Sequence, residues 1–188
     1  MNKTILKIHD KEFEPLIFES EINEKIRAIA HQINALEFEE LICLSVLNGA
    51  YMFTAELCKH LHNLPVISFI KIASYQGMQT SETITELVGI QENLKNKTVL
   101  ILEDIIDTGN SIDNVYNACI QQGANKVYIA TLLYKPDAYK GNAPIQFIGF
   151  SIPNSFVVGY GMDYNGLGRN LKDIYVLHTV KFHHVVNG

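Results

Sequence analysis

The sequence predicts an α/β fold with a mostly parallel central sheet and helices on both faces. Three observations carry this reading. Short segments such as LICLSVL (41–47), TVLILE (98–103) and VYIATLL (127–133) are apolar almost throughout. They are too short for helices, and they lack the polar face that a half-exposed strand would show, so they read as strands buried on both sides. Between them lie stretches whose apolar residues recur every three or four positions, the period of an amphipathic helix. Finally, the apolar runs end in polar turns, and ligands of open parallel sheets gather at the carboxyl ends of strands.

The elements follow in order. Residues 21–36 form a helix with Ile22, Ile26, Ile29, Ile33 and Leu36 on one face and Ser20 as its cap. The strand 41–47 runs into Asn48-Gly49, and a second helix over 50–61 presents Phe53, Leu57 and Leu61. Pro65 sets off the strand VISFIKI (66–72), and the segment from Ala73 to Gly89 is long, polar and rich in Thr, Ser, Gln and Glu, which reads as a disordered or functional loop. After TVLILE, a third helix shows Ile112, Val115, Tyr116 and Cys119 on one face, with Gly123 as its stop. VYIATLL (127–133), IQFIGF (145–150), a shorter FVVGY (156–160) and IYVLHTV (174–180) complete the strands.

Composition bounds the function. The 188 residues are expected to form one domain over 1–188, since no repeat, low-complexity tract or Pro/Gly/Ser linker divides them. With 47% apolar and 19% charged residues the chain can build a core. A net charge of -5 and the lack of a basic stripe argue against nucleic acid. No apolar run is long enough to span a bilayer. The opening MNKTILKIHDKEFEP lacks the apolar centre of a secretion signal. Together with three widely spaced cysteines, Cys43, Cys58 and Cys119, this gives the expectation of a cytoplasmic protein with free thiols.

The segment VLILEDIIDTGNS (99–111) carries the chemistry. A buried strand meets two adjacent carboxylates, Glu103 and Asp104. Two apolar residues follow, then a third acid, Asp107, and a small polar turn that opens a helix. Adjacent acids at a strand end are costly unless they hold hydroxyls or a metal. They suit the vicinal hydroxyls of a ribose, since each carboxylate accepts charge-assisted bonds. The turn from Asp107 to Ser111 offers backbone N–H groups, the Thr108 and Ser111 hydroxyls and the positive end of the following helix, which together make a phosphate cradle. Taken alone, D-T-G-N-S reads first as a helix cap; the preceding strand and acids reverse that reading.

This stretch resembles the phosphoribosyl-diphosphate-binding motif of the type I phosphoribosyltransferases, and within them the hypoxanthine-guanine (6-oxopurine) branch. The resemblance spans about 41–171. It includes Val46-Leu47-Asn48-Gly49, Ser74-Tyr75, Leu132-Leu133-Tyr134-Lys135-Pro136, Phe147 to Pro153, Phe156 to Tyr164, and Arg169. Several motifs in one order are far more specific than any single one. The resemblance implies a small hood, formed by the N- and C-terminal segments, over the sheet. It implies purine salvage, in which ribose 5-phosphate passes from phosphoribosyl diphosphate to hypoxanthine or guanine with release of pyrophosphate. It also implies Mg2+ as cofactor and assembly into a homodimer or homotetramer.

Residue by residue, the resemblance assigns Glu103 and Asp104 to the ribose hydroxyls and to metal, and Asp107 to accepting the purine N7 proton. Thr108, Gly109, Asn110 and Ser111 cradle the 5-phosphate, and Leu47, Asn48, Gly49 and Arg169 belong to pyrophosphate. Lys135 donates to the 6-oxo group, Phe156 stacks on the base and Val157 meets its edge. Asp163 is a metal ligand, and Ser74-Tyr75 lie at the base of a loop that closes over the reacting centre. Two departures concern pyrophosphate. Asn48 stands where the family has Lys, and Gly166-Leu167-Gly168 replaces bulkier residues before Arg169, which is expected to loosen that loop. Asn110 also stands where Lys is common, a benign change for a turn that binds through backbone.

Rival readings are weaker. A nucleotide-sensing, RNA-binding use of the same fold is opposed by the acidic balance and by the intact Asp107 and Lys135. An aspartic-protease reading of Asp107-Thr108-Gly109 needs a second such triplet and a different context. His60-x-His62 and His183-His184 lack the Cys or acidic partners that would complete a metal set.

Overall fold

The computed structural model describes residues 5–75 and 83–178, with backbone alone for 73–75 and 83–88. The elements run β1 (Leu6–Ile8), β2 (Lys11–Ile17), α1 (Glu19–Asn34), β3 (Leu41–Leu47), α2 (Tyr51–Cys58), β4 (Val66–Tyr75) and β5 (Thr83–Val88). They continue as β6 (Thr98–Ile106), α3 (Asn110–Gln121), β7 (Lys126–Tyr134), β8 (Phe147–Ser151), β9 (Val157–Val158) and β10 (Ile174–Leu177). The main sheet has the order β5-β4-β3-β6-β7-β8. Its β4, β3, β6, β7 and β8 are parallel, and β5 adds an antiparallel edge. A second, antiparallel sheet, β1-β2-β10-β9, joins the N-terminal strands to the segment from 157 onward, which is the hood.

Strand alternation divides the core in two. Leu41 and Cys43 of β3, Leu100 and Leu102 of β6, and Ala130 and Leu132 of β7 pack with α1 and α2. Their neighbours Ile42, Leu44, Val99, Ile101, Val127 and Ile129 pack with Ile112, Val115 and Cys119 of α3 on the other side. Each strand therefore needs apolar residues at every position, which explains the continuous apolar runs. Phe53 of α2 is fully buried in the first layer. Phe53→Ala is expected to cost about 3–5 kcal/mol, measured as a lower urea midpoint with an unchanged slope.

Several boundaries differ from the sequence reading. Helix α1 begins at Glu19 with Phe18 at the cap position, so Ser20 lies inside the helix. The Glu21 carboxylate instead accepts a bond from the Phe18 N–H at 2.9 Å. Strand β6 continues from Glu103 through Ile106, which places Asp104 within the strand rather than beyond it. The segment read as a loop from Ala73 to Gly89 contains the end of β4 and all of β5, paired antiparallel; residues 76–82 lie outside the described residues. Thr83-Ile84-Thr85 is β-branched and alternates as a strand does, a signal hidden by its polar content. The shorter β9 and β10 replace the reading of 156–160 and 174–180 as strands, and residues 179–180 are outside the described set.

The hood strands β1 and β2 were not legible as strands. Charged residues interrupt them, and Pro15 weighs against a central strand. Pro15 is accommodated by a bulge: Ile17 pairs with Ile174 and Pro15 with Tyr175, leaving Leu16 unpaired. Cys43 and Cys119 are buried and Cys58 is half-buried, all as free thiols.

Candidate active site

Two adjoining clefts open where the parallel strands end. The first, about 330 Å³, is lined by Leu47 at the end of β3 and Asn48 and Gly49 after it, by Glu103 to Gly109 and Ser111 around the end of β6, and by Arg169. The second, about 260 Å³, is lined by Asp104, Ile105, Asp107, Lys135, Phe156, Val157, Met162, Asp163 and Arg169. They share Asp104, Ile105, Asp107 and Arg169, so the two spaces meet along β6.

The turn after β6 is shaped for an anion. Gly109 has φ +94°, a left-handed conformation that glycine adopts without strain, and α3 begins at the next residue. A glycine offers no side chain to cap the first N–H groups of that helix, leaving them to a ligand. The turn is braced from behind. The Lys140 N–H donates to the Thr108 carbonyl at 2.9 Å. The Asp113 carboxylate accepts the Asn142 and Ala143 N–H groups at 2.9 Å each. A Cβ on Gly109 would press on the Tyr139 ring.

Glu103 and Asp104 are almost fully buried. Desolvation raises the pKa of both, and the Asp104 charge raises that of Glu103 further. Backbone N–H groups and the Arg169 guanidinium act in the opposite direction on Asp104. Two acids kept in this state are poised to accept hydroxyl donors or a cation.

The Lys135 ammonium is buried and donates to Asp107 Oδ2 at 2.7 Å. The Lys135 backbone N–H continues the sheet by bonding to the Ile106 carbonyl, which sets the lysine beside the β6 turn. Phe156 is half-exposed over the second cleft, and Val157 is buried beside it.

Arg169 is held by its own loop. Its guanidinium donates to the Gly161 carbonyl and pairs with Asp163 Oδ1, at 2.7 and 2.6 Å. The second Asp163 oxygen accepts the Gly166 N–H at 2.7 Å. Gly166 adopts positive φ in the turn closed by the Tyr164–Leu167 pair, and Gly168 does so just after it. These bonds oppose the loosening expected from two glycines.

The structure thus brings together Leu47, Asn48, Gly49, Glu103, Asp104, Asp107, Thr108, Gly109, Ser111, Lys135, Phe156, Val157, Asp163 and Arg169. Asn110 opens α3 without lining either cleft. Ser74 and Tyr75 close β4, and their side chains lie outside the described set. His183-His184 also fall outside it; no cluster of three or more metal-ligating side chains occurs among the described residues.

Sequence reasoning missed Gly161 and Tyr51. A Cβ on Gly161 would overlap the Gly49 carbonyl, so this glycine lets the Arg169 loop lie against the turn after β3. The Tyr51 hydroxyl donates to the Arg169 carbonyl at 3.1 Å. Gly49 in turn abuts Asp104, and a Cβ there would overlap the carboxylate. Gly49→Ala is expected to displace Asp104 and lower kcat/KM for the donor roughly 10–100-fold, while the thermal midpoint changes little; steady-state kinetics and a melting curve check both.

The site is a strand-end turn with a helix N-terminus free of a side-chain cap beside two buried acids, on an α/β sheet. A family model described as the phosphoribosyl transferase domain matches residues 19–165, and the chain belongs to that family. It is similar to the hypoxanthine phosphoribosyltransferase of Escherichia coli strain K12, 37% identical over 165 residues that cover 86% of this chain and 93% of that protein. The hypoxanthine-guanine phosphoribosyltransferase of Staphylococcus epidermidis is 35% identical over 157 residues, covering 80% and 88%. A crystal structure of a hypoxanthine phosphoribosyltransferase from Staphylococcus aureus matches with a TM-score of 0.82 and 33% identity, over 88% of this chain and 91% of that one.

Proposed function

We propose that the protein transfers the 5-phosphoribosyl group of phosphoribosyl diphosphate to hypoxanthine or guanine, giving IMP or GMP and pyrophosphate. The observation that carries this reading is the meeting of the two clefts at Asp107, with the phosphate-type turn on one side and the buried Lys135 beside Phe156 on the other. A donor sugar and an acceptor base bound there would face each other across β6.

In this reading the N–H groups and hydroxyls of 108–111 hold the 5-phosphate, and Glu103 and Asp104 accept bonds from the ribose hydroxyls. Their charge also favours the positive character that develops at the anomeric carbon. The purine stacks on Phe156, and Val157 meets its edge. Lys135 turns from Asp107 to the 6-oxo acceptor; the 6-amino group of adenine would present a donor to a donor and be rejected. The bond from the anomeric carbon to the diphosphate oxygen breaks as purine N9 bonds to that carbon, and Asp107 accepts the N7 proton. Arg169 and the turn Leu47-Asn48-Gly49 receive the departing pyrophosphate.

Mg2+ fits the donor set. Glu103 and Asp104 line the first cleft and Asp163 the second, which would suit an ion that takes one or two protein carboxylates and completes its shell from substrate phosphates. When bound it would supply charge neutralisation on the pyrophosphate.

The proposal extends to a homodimer or homotetramer. Support comes from Val66, Ile67 and Phe69, apolar residues that β4 leaves exposed. Light scattering after size exclusion tests it. A cytoplasmic location is proposed on the free thiols; no helix among the described residues is long and apolar enough to cross a membrane. The central test is a spectrophotometric assay with hypoxanthine or guanine, phosphoribosyl diphosphate and magnesium. Nucleotide formation with either base, and none with adenine, is expected; the absence of product at millimolar donor would refute the reading.

A further inference from the structure

Phe156 is half-exposed, and a ring in that position needs something to fix its plane. Two side chains of the hood do so. The fully buried Phe13 of β2 lies behind it at a centroid distance of 6.2 Å. Tyr164 meets it edge-to-face at 5.8 Å and 82°. Phe13 and Tyr164 also touch, at 6.2 Å, so the three rings form a closed triangle. Edge-to-face pairs are directional, so this triangle selects one orientation of the Phe156 ring.

Tyr164 is itself anchored. Its hydroxyl donates to Asp10 Oδ1 at 2.7 Å, across 154 positions of sequence. His9 packs against its ring at 5.7 Å and 75°, and the Lys11 ammonium lies 5.5 Å from the ring centroid. The turn between β1 and β2 thus grips the residue next to Asp163. The Asp163 carboxylate turns the other way, to Arg169. The segment 163–164 therefore serves the second cleft in two ways, with the acid lining it and holding Arg169, which both clefts share, and the tyrosine against the Phe156 ring.

We propose that Tyr164, tethered by Asp10, is a positioning residue for the purine: it holds Phe156 in the plane on which the base stacks. This rests on the functional reading above. Nothing in it requires Tyr164 to touch substrate. The position would govern base affinity and leave donor affinity and the transfer step to the β6 turn and its acids.

The test is steady-state kinetics of Tyr164→Leu, Tyr164→Phe, Asp10→Ala and the Asp10→Ala/Tyr164→Phe pair, with base and donor varied separately and melting curves recorded. Tyr164→Leu loses both ring edge and tether and should raise the KM for hypoxanthine roughly 5–10-fold, with donor KM and kcat within about twofold. Tyr164→Phe and Asp10→Ala lose the tether alone and should each raise it roughly 2–3-fold. The double variant should be no worse than either, because both remove one interaction. An unchanged base KM in Tyr164→Leu, a parallel rise in donor KM, or full additivity of the tether variants would overturn the proposal. Should Tyr164→Leu fail to fold, the two tether variants and their cycle decide it. Wild-type turnover separates the two levels. Without it the functional reading fails and this proposal with it; with it, an unmoved base KM removes the positioning role alone.

Discussion

Asp107→Asn is expected to lower kcat on the order of 10²–10⁴-fold, with the KM values for donor and base changing far less. The argument starts from what the amide keeps. Asn has nearly the shape of Asp, and its carbonyl oxygen can still accept the Lys135 bond that the carboxylate accepts at 2.7 Å. The buried ammonium therefore retains a partner, although an uncharged one, and the fold should survive. What the amide loses is the ability to take up a proton. As N9 bonds to the anomeric carbon, the purine becomes cationic unless its N7 proton leaves, and no described side chain in the second cleft other than Asp107 and the acids already assigned to sugar and metal can take it. The loss should therefore appear in kcat. Equal loss in base KM would instead assign Asp107 to ground-state binding. Lys135→Met would complement the test by freeing Asp107 and removing the donor to the 6-oxo group, with selectivity against adenine falling.

Much of this was legible from sequence because the same physics acts locally and globally. A strand covered on both faces must be apolar at every position, so β3, β6 and β7 announce themselves. The turn at 107–111 alone would read as a helix cap; it is legible as a site because a buried strand and two adjacent acids precede it. The hood is different. Its strands β1, β2, β9 and β10 span two to seven residues each and come from opposite ends of the chain, so no local pattern marks their pairing. Phe13 is fully buried only because β10 and the 156–164 segment return to cover it. The same holds for Gly161, whose small size matters only against the Gly49 carbonyl, a contact between turns more than a hundred residues apart. Resemblance supplied the roles of Phe156 and Arg169; periodicity alone would have left Phe156 in the core.

Glu103→Gln is expected to act in opposite directions on stability and on binding. In the ligand-free protein the Glu103 carboxyl is buried, and both desolvation and the Asp104 charge raise its pKa above the ordinary 4.5. Between 4.5 and that raised value, the folded protein holds a proton that the unfolded chain has released. Stability is then greatest at and below the unfolded value and falls as pH rises towards the folded one. Asp104, also raised by burial from 3.8, adds a slope of the same sign. Glutamine keeps the shape of the side chain and has no charge to desolvate. The variant should therefore melt higher than the wild type at neutral pH without added magnesium, by about 2–4 °C for each kcal/mol recovered, and its melting temperature should depend less on pH above 4.5. The donor site responds the other way. A charge-assisted bond to the ribose is lost, which should raise the donor KM roughly 10–100-fold. Melting curves from pH 4 to 8 and donor titrations read the two effects separately. A lower melting temperature, or an unchanged donor KM, would show that Glu103 is a structural acid whose burial the fold requires. A stabilised variant that binds donor poorly would show that the buried acid pair is retained for the sugar, at a cost in stability that the apolar strands around it offset.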